Sequence, residues 1–188
     1  MAALYPKKGF HHPYPLSYAP QVPQPKEPII TLMCPDKPSK NVFNQLIAVA
    51  LVQRERPELV LHTNIQDLRG LERQLKVVQH PWLPRPEYHQ LLASAQVNLA
   101  ASLAETFSYQ AAESLLLGTP CILTQAVPWF SGYDAHGWDA HSLSIVLQQA
   151  LEPGSGLLRK QQDALEHYTK GFNPAELLRL CAVDSPHL

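Results

Sequence analysis

The sequence predicts an α/β fold built on a single doubly wound parallel sheet, preceded by a proline-rich extension. Short continuous apolar runs such as 29–34 and 97–101 are typical of strands that are buried on both faces. Segments of helical character alternate with these runs and are joined to them by short loops. This alternation favours parallel strands with helices on both faces of the sheet.

Length and composition narrow the class of protein. The 188 residues suit one domain with a sizeable core plus extensions, whereas two full domains would be cramped. The 45% hydrophobic fraction with mixed charges is typical of a soluble globular protein, and no apolar run reaches the length of a membrane span. The net charge of −1 gives no reason to expect binding to nucleic acid or to an anionic membrane.

The first 28 residues differ from the rest of the chain. They hold seven of the 18 prolines with aromatic residues between them, so we predict an extended arm or linker at 1–28. Its aromatics either dock on a neighbour or belong to a partly disordered tail, and the sequence does not separate the two. The sheet domain is predicted at 29–182, with a tail at 183–188. Because no apolar signal segment follows Met1, we expect a cytoplasmic location.

The elements follow from periodicity and from helix breakers. Strands are predicted at 29–34, 59–63, 77–80, 97–101 and 121–124, and helices at about 41–54, 67–76, 86–95, 108–118, 141–151, 157–169 and 174–181. Ligands of such sheets bind at the carboxyl ends of the strands. The segments 34–40, 80–85 and 102–108 are therefore expected to converge on one rim.

The helix at 108–118 is the most informative stretch. Thr106 and Ser108 are candidate N-caps, and Gly118 ends the helix. One side is expected to form a buried stripe of Ala111, Ala112, Leu115 and Leu116. Glu113 lies away from that stripe and Glu105 lies in the loop before the helix, so the two acids bracket the helix N-terminus.

A helix N-terminus offers unpaired N–H groups and a partial positive charge, which suit a phosphate. Two flanking carboxylates, Glu105 and Glu113, suit hydroxyl groups on either side of that phosphate. A nucleotide sugar has this arrangement. The alternative is an ordinary amphipathic helix in an α/β domain.

The pattern Ser102-x-x-Glu105-x-Phe107-Ser108-x(4)-Glu113-x(4)-Gly118-Thr119-Pro120 resembles the Glu-x7-Glu signature of retaining GT-B glycosyltransferases of the glycogen-synthase-like, family 4 type. The resemblance implies a Rossmann-like domain that forms the C-terminal, donor-binding half of a GT-B fold. It also implies that Glu105 contacts the donor sugar and Glu113 the ribose hydroxyls. No metal or other cofactor is implied.

Further donor contacts are expected from the rim. In the resembling family the loop after the first strand usually carries an arginine and, about six residues later, a lysine. Lys40 matches the lysine, and we expect it to stabilise the departing diphosphate. The arginine position falls near Cys34, which carries no such charge; Lys37 is a candidate substitute, and a solvated loop lysine is the alternative.

The other candidate contacts lie on two of the rim segments. Trp82 either stacks on the nucleobase or anchors its loop. The candidate catalytic residues are Glu105 and Lys40, and the candidate donor-binding residues are Glu113, Phe107, Ser108, Tyr109, Lys37, Trp82 and Ser102. The backbone of 107–109 is expected to bind the diphosphate.

Neither thiol chemistry nor a metal site is expected. The three cysteines, which are Cys34, Cys121 and Cys181, lack paired spacing and are expected to be buried free thiols. A polar loop carries Asp134, His136, Asp139 and His141. Their spacing matches no standard zinc pattern.

The resemblance covers only the donor half of a GT-B enzyme, across roughly 29–182. The acceptor side then comes from a separate subunit, from a second copy of the chain, or from direct docking of an acceptor on the open site. The favoured function is transfer of a hexose from a nucleoside-diphosphate sugar with retention. The alternative is a non-catalytic nucleotide-sugar-binding or scaffolding protein.

Overall fold

The computed structural model describes residues 24–127, 129 and 138–170, with side chains to 168. The strands are β1 (Ile29–Leu32), β2 (Val60–Thr63), β3 (Val77–Gln79), β4 (Val97–Leu99) and β5 (Cys121–Ile122). The α-helices are α1 (Val42–Glu55), α2 (Arg85–Ser94), α3 (Tyr109–Leu116), α4 (Ala140–Leu151) and α5 (Leu157–Lys170), and a 3-10 turn spans Pro38–Lys40.

The five strands form one parallel sheet in the order β3-β2-β1-β4-β5. Ile30 pairs with Leu61 on one side and with Val97 on the other, so β1 is central. Every residue of β1 is buried, as expected for a strand covered on both faces. The predicted α/β class with a doubly wound parallel sheet is confirmed.

Helices cover both faces of the sheet. On one face α1 packs on α4, and the core there includes Leu99 and Ile122. Their chain neighbours Ala100 and Cys121 belong to a second core cluster with α3 and α5. Since successive strand side chains point to opposite faces, the two clusters lie on opposite sides of the sheet.

A buried glutamine joins the ends of β1 and β4 across the sheet. Gln45 of α1 is 1% exposed; its Nε2 donates to the carbonyl of Lys40 at 2.7 Å, and its Oε1 accepts from the N–H of Ala101 at 3.0 Å. The N–H of Leu103 donates to the carbonyl of Ser39 at 2.7 Å. These bonds fix the segment after β1 against the segment after β4.

The predicted helix at 67–76 is wrong. Arg69 and Gly70 have φ angles of 59° and 81°, in the left-handed region, where a right-handed helix cannot continue. The segment consists of turns, and its leucines still reach the core, including Leu68 and Leu75. The helix prediction therefore failed, although leucines of this segment pack in the core.

The predicted buried stripe of α3 needs one correction. Ala111, Ala112 and Leu115 are buried, but Leu116 is exposed and Ser114 is buried in its place. Ser114 is accommodated because its Oγ donates to the carbonyl of Thr119 at 2.9 Å. The predicted helix at 174–181 and most of the predicted arm lie outside the described residues.

Two of the three cysteines can be assigned. Cys34 and Cys121 are buried free thiols, as predicted, and burial raises the pKa of each to about 12. Both are therefore uncharged at neutral pH. Cys181 lies outside the described residues.

None of the helices in the described part of the chain combines the length and the hydropathy needed to cross a bilayer.

Replacing Gln45 by leucine should destabilise the fold. The variant leaves the Lys40 carbonyl and the Ala101 N–H without their buried partner, so we expect the free energy of unfolding to fall by about 2–4 kcal/mol. Urea denaturation measures this loss. The control is Gln149→Leu, at an exposed position of α4. Equal stabilities of the two variants would contradict the role given to Gln45.

Stability should also fall on mild acidification because of His62. Its Nδ1 lies 2.9 Å from His80 Nε2, and burial, followed by the neighbouring His80, lowers the pKa of His62 against an opposing effect of Glu27. A folded-state pKa below the unfolded value of about 6.5 means that the unfolded chain binds more protons. The stabilisation is therefore complete above pH 6.5 and is lost as the pH falls through the lowered pKa.

Melting temperatures between pH 7.5 and 5.0 test this expectation. The variant His62→Gln should show a smaller decrease on acidification than the unaltered chain. The exposed His141→Gln is the control and should retain the full decrease. A decrease that is unchanged in His62→Gln would exclude His62 as the cause.

Candidate functional site

A cleft of about 470 Å³ opens at the carboxyl ends of β1, β3 and β4. Its walls come from the three rim segments that were expected to converge and from the first turns of α2 and α3. The lining residues are Met33, Pro35, Lys40, Trp82, Leu83, Arg85, Tyr88, Glu105, Thr106, Ser108, Tyr109, Gln110 and Glu113. The cleft lies between β1 and β4, where the strand order reverses, and ligands of open α/β sheets bind at that point.

The start of α3 borders this cleft. Ser108 is the N-cap, as predicted, but its φ of 66° and ψ of 76° are left-handed and its side chain makes no capping hydrogen bond. The N–H groups of a first helical turn have no acceptor within the helix. With no side-chain cap from Ser108, this end of α3 is suited to accept an anion.

Glu105 forms an ion pair with Lys40 across the cleft floor. The two side chains are 13% and 23% exposed, and Glu105 Oε1 accepts from both Lys40 Nζ and Ser102 Oγ, the latter at 3.0 Å. Thr124 Oγ1 in turn donates to the Ser102 carbonyl. The acid and the lysine predicted to act on the donor are therefore in contact, and the acid is held in one orientation.

Ser102 supports this pair from beneath the surface. It is 2% exposed and is not among the lining residues. Its hydroxyl acts on the cleft through Glu105. Ser102 therefore serves in the structure as a positioning residue, in contrast to its predicted role in contacting the donor.

Glu113 has a partner that the sequence analysis missed. Arg85 Nη2 donates to Glu113 Oε1 at 3.0 Å, and His89 Nε2 lies 3.7 Å from the same oxygen. Glu113 is 14% exposed, whereas Arg85 is 65% exposed. In the sequence, the one indication of this contact was the position of Arg85, which is the last residue of the predicted rim segment 80–85. In the structure it is the first residue of α2.

Phe107 anchors the loop between Glu105 and α3. Its side chain is buried, its carbonyl accepts from Trp129 Nε1 at 2.5 Å, and its ring lies 5.0 Å from the ring of Tyr109. Tyr109 is exposed and lines the cleft. Of the predicted 107–109 segment, Ser108 and Tyr109 reach the site and Phe107 fixes their position.

Trp82 lies in the cleft, whereas Lys37 lies outside it. Trp82 lines the cleft with 70% of its surface exposed, so its ring is available to a ligand. Lys37 lines a separate hollow together with Asp36 and Arg69, which pair at 2.6 Å. Lys37 precedes the 3-10 turn Pro38–Lys40 and lies outside the cleft that Lys40 lines.

The polar loop that was judged unsuitable for a metal is described only in part. Asp139 is the N-cap of α4, where its Oδ1 accepts from the N–H groups of His141 and Ser142 at 3.0 Å each. These bonds, with the Ser142 hydroxyl, lower the pKa of Asp139. Asp134 and His136 lie outside the described residues. Within the described ranges, no group of three or more His, Cys, Asp or Glu side chains is arranged to hold a metal ion.

Comparisons with known proteins identify the fold. No family model matches the sequence, and no curated protein does either. Among solved structures, TarM is 14% identical with a TM-score of 0.64, over 95% of this chain and 38% of that chain. A UDP-forming trehalose-phosphate synthase from Burkholderia vietnamiensis is 11% identical with a TM-score of 0.62, over 87% of this chain and 46% of that chain.

The GtfA/B complex gives a third match, 16% identical with a TM-score of 0.60, over 84% of this chain and 36% of that chain. The chain thus spans less than half of the length of these neighbours. They are GT-B glycosyltransferases, and likeness at such low identity establishes the fold. The described part of the chain therefore has the fold of one Rossmann-like half of a GT-B glycosyltransferase, as the pattern around Glu105 and Glu113 predicted.

Proposed function

We propose that this chain is the donor-binding part of a glycosyltransferase that transfers a hexose from a nucleoside-diphosphate sugar with retention of configuration. One observation carries the proposal: Glu105 and Glu113 line the same cleft, on either side of the start of α3. We also propose that the protein is located in the cytoplasm.

The donor is assigned to the cleft by matching each of its groups to the chemistry of the wall. The diphosphate lies at the N-terminus of α3, within reach of Lys40. The ribose hydroxyls bind Glu113 and the sugar hydroxyls bind Glu105, since carboxylates accept hydrogen bonds from hydroxyls. The exposed ring of Trp82 offers a stacking surface for the base.

The same groups support the chemical step. In the transfer, the bond between the anomeric carbon and the phosphate oxygen breaks and its electron pair leaves with the nucleoside diphosphate. On the same face, the anomeric carbon forms a new bond to an acceptor hydroxyl oxygen, and the proton of that hydroxyl passes to the departing phosphate oxygen. Lys40 and the N–H groups at the start of α3 stabilise the negative charge that builds on the leaving diphosphate.

The matched part of the fold leaves three ways in which the acceptor side could be completed. The solved structures that resemble this chain are more than twice as long as their matched part, and one of them is the GtfA/B complex. A second copy of this chain, a separate acceptor-binding protein, or an acceptor that docks directly on the open cleft would each complete the site. The mass of the purified chain in solution distinguishes self-association from the other two.

The second candidate is nucleotide-sugar binding without turnover. It is favoured by Cys34, which is buried and uncharged where the resembling family places an arginine. Thermal shifts with UDP, GDP and ADP test binding, and incubation with the matching nucleotide sugars tests release or transfer of the sugar. Binding without any release of sugar, with candidate acceptors present, would favour this second candidate.

Glu113→Gln tests the assignment of the ribose. The unaltered chain should bind its preferred nucleoside diphosphate at least tenfold more tightly than the 2′,3′-dideoxy form, because a charge-assisted hydrogen bond contributes about 1.5–3 kcal/mol. The variant should lose most of this preference in titration calorimetry. Glu87→Gln, an exposed acid on α2, is the charge-matched control. A full preference retained by Glu113→Gln would contradict the assignment.

Glu105→Gln tests the assignment of the sugar. We expect the nucleoside diphosphate to bind at least as tightly as to the unaltered chain, because Lys40 is released from its carboxylate, and the turnover of the nucleotide sugar to fall on the order of 10²-fold. Ser102→Ala removes one bond that orients Glu105 and should give a smaller loss of turnover. Full turnover in Glu105→Gln would show that the sugar lies elsewhere.

A further inference from the structure

The charges that line the cleft cancel before any ligand enters. Among the described lining residues the cations are Lys40 and Arg85, and the anions are Glu105 and Glu113. Each acid accepts a bond from one of the cations. A diphosphate adds at least two negative charges to this lining, so it binds well only if cationic groups turn from the carboxylates towards the phosphates.

The two ion pairs differ in how firmly they are held. Lys40 and Glu105 are both largely buried, and Ser102 holds the acid from below. The Arg85 side chain is 65% exposed and that of Glu113 is 14% exposed, so the guanidinium lies at the surface against a carboxylate that is largely covered. An ion pair with an exposed, flexible partner contributes little to stability and is easily exchanged.

We propose that Arg85 is a second phosphate-binding residue of the cleft, held on Glu113 until a ligand takes that carboxylate. The inference rests on the proposed function. When the ribose hydroxyls bind Glu113, the guanidinium is released and binds the adjacent diphosphate. Arg85 thereby supplies, from the start of α2, the second cation that the loop after β1 lacks.

The geometry of the two helices supports this exchange. Glu113 is four residues after Tyr109, the first residue of α3, which is about 6 Å along the helix axis. A guanidinium bound to Glu113 therefore lies close to an anion at the N-terminus of α3. Arg85 is the first residue of α2, so its backbone is fixed by the helix and its long side chain extends from that fixed point. Its planar fork suits two phosphate oxygens at once.

The loop after β1 offers no equivalent group. Cys34 is a buried neutral thiol, and Lys37 lines another hollow. Lys40 is the one cation that this loop places in the cleft, as far as the described residues show. An arginine from the opposite wall therefore completes the pair of positive charges that a diphosphate requires.

The experiment compares a nucleoside diphosphate with its nucleoside on arginine variants. The ligands are the best binder among UDP, GDP and ADP and the corresponding nucleoside, measured by titration calorimetry. Arg85→Ala should weaken diphosphate binding about tenfold. The affinity of Arg85→Lys should lie between those of Arg85→Ala and the unaltered chain, because lysine keeps the charge but lacks the planar fork of the guanidinium. Nucleoside binding to Arg85→Ala should be unchanged or tighter, because Glu113 no longer has to release a partner.

The control variant is Arg69→Ala. Arg69 is an exposed arginine that also pairs with a carboxylate, Asp36, but it lies outside the cleft. Arg69→Ala should leave the affinities for the diphosphate and for the nucleoside unchanged. A loss of diphosphate affinity equal to that of Arg85→Ala would show that the effect depends only on the net charge of the protein, and it would overturn the inference.

Two results separate this inference from the proposed function. Equal affinities of Arg85→Ala and the unaltered chain for the diphosphate, or equal losses for diphosphate and nucleoside, would overturn the role of Arg85 while nucleotide binding stands. No binding of any of the three diphosphates to the unaltered chain would overturn the proposed function, and the inference with it.

Discussion

The strand order of the sheet is the constraint on which the site depends. Since β1 and β4 are neighbours and run in the same direction, the segments that follow them leave the sheet at the same edge. The chain after β1 enters α1 on one face, and the chain after β4 enters α3 on the other. The two segments must part, and the cleft is the space between them.

Short polar contacts hold that cleft at a fixed width. Gln45 and the bond from Leu103 to Ser39 join the two segments at their bases, and the ion pair of Lys40 with Glu105 joins them at the floor of the cleft. The acid and the lysine are therefore positioned by the fold before a ligand arrives. Preorganised charge of this kind is the form of electrostatic stabilisation that catalysis uses.

The sequence predicted the parts of the molecule that depend on local pattern. Buried strands, the start of α3 at Ser108 and the convergence of the rim segments all follow from apolar runs, breakers and the rule for parallel sheets. The helix at 67–76 failed because a left-handed turn at Arg69 and Gly70 interrupts a helical spacing of apolar residues. Ser102 and Phe107 were assigned to the donor from motif spacing, and the structure shows that both are buried, because depth below a surface depends on tertiary packing.

The contact of Arg85 with Glu113 could not be predicted from any local sequence pattern. Its contact with Glu113 depends on how α2 and α3 approach each other across the cleft, a relation between residues 28 positions apart. That contact changes how the carboxylates act. A ligand that carries only hydroxyl groups would replace a cation on its carboxylate and leave that cation without an anionic partner. A ligand that carries only phosphates would meet cations that are already paired with carboxylates. A ligand with hydroxyls and phosphates at the right separation replaces both partners at once. In the proposed function, the two ion pairs would favour a nucleoside diphosphate over either of its parts, and they would then contribute to specificity as well as to stability.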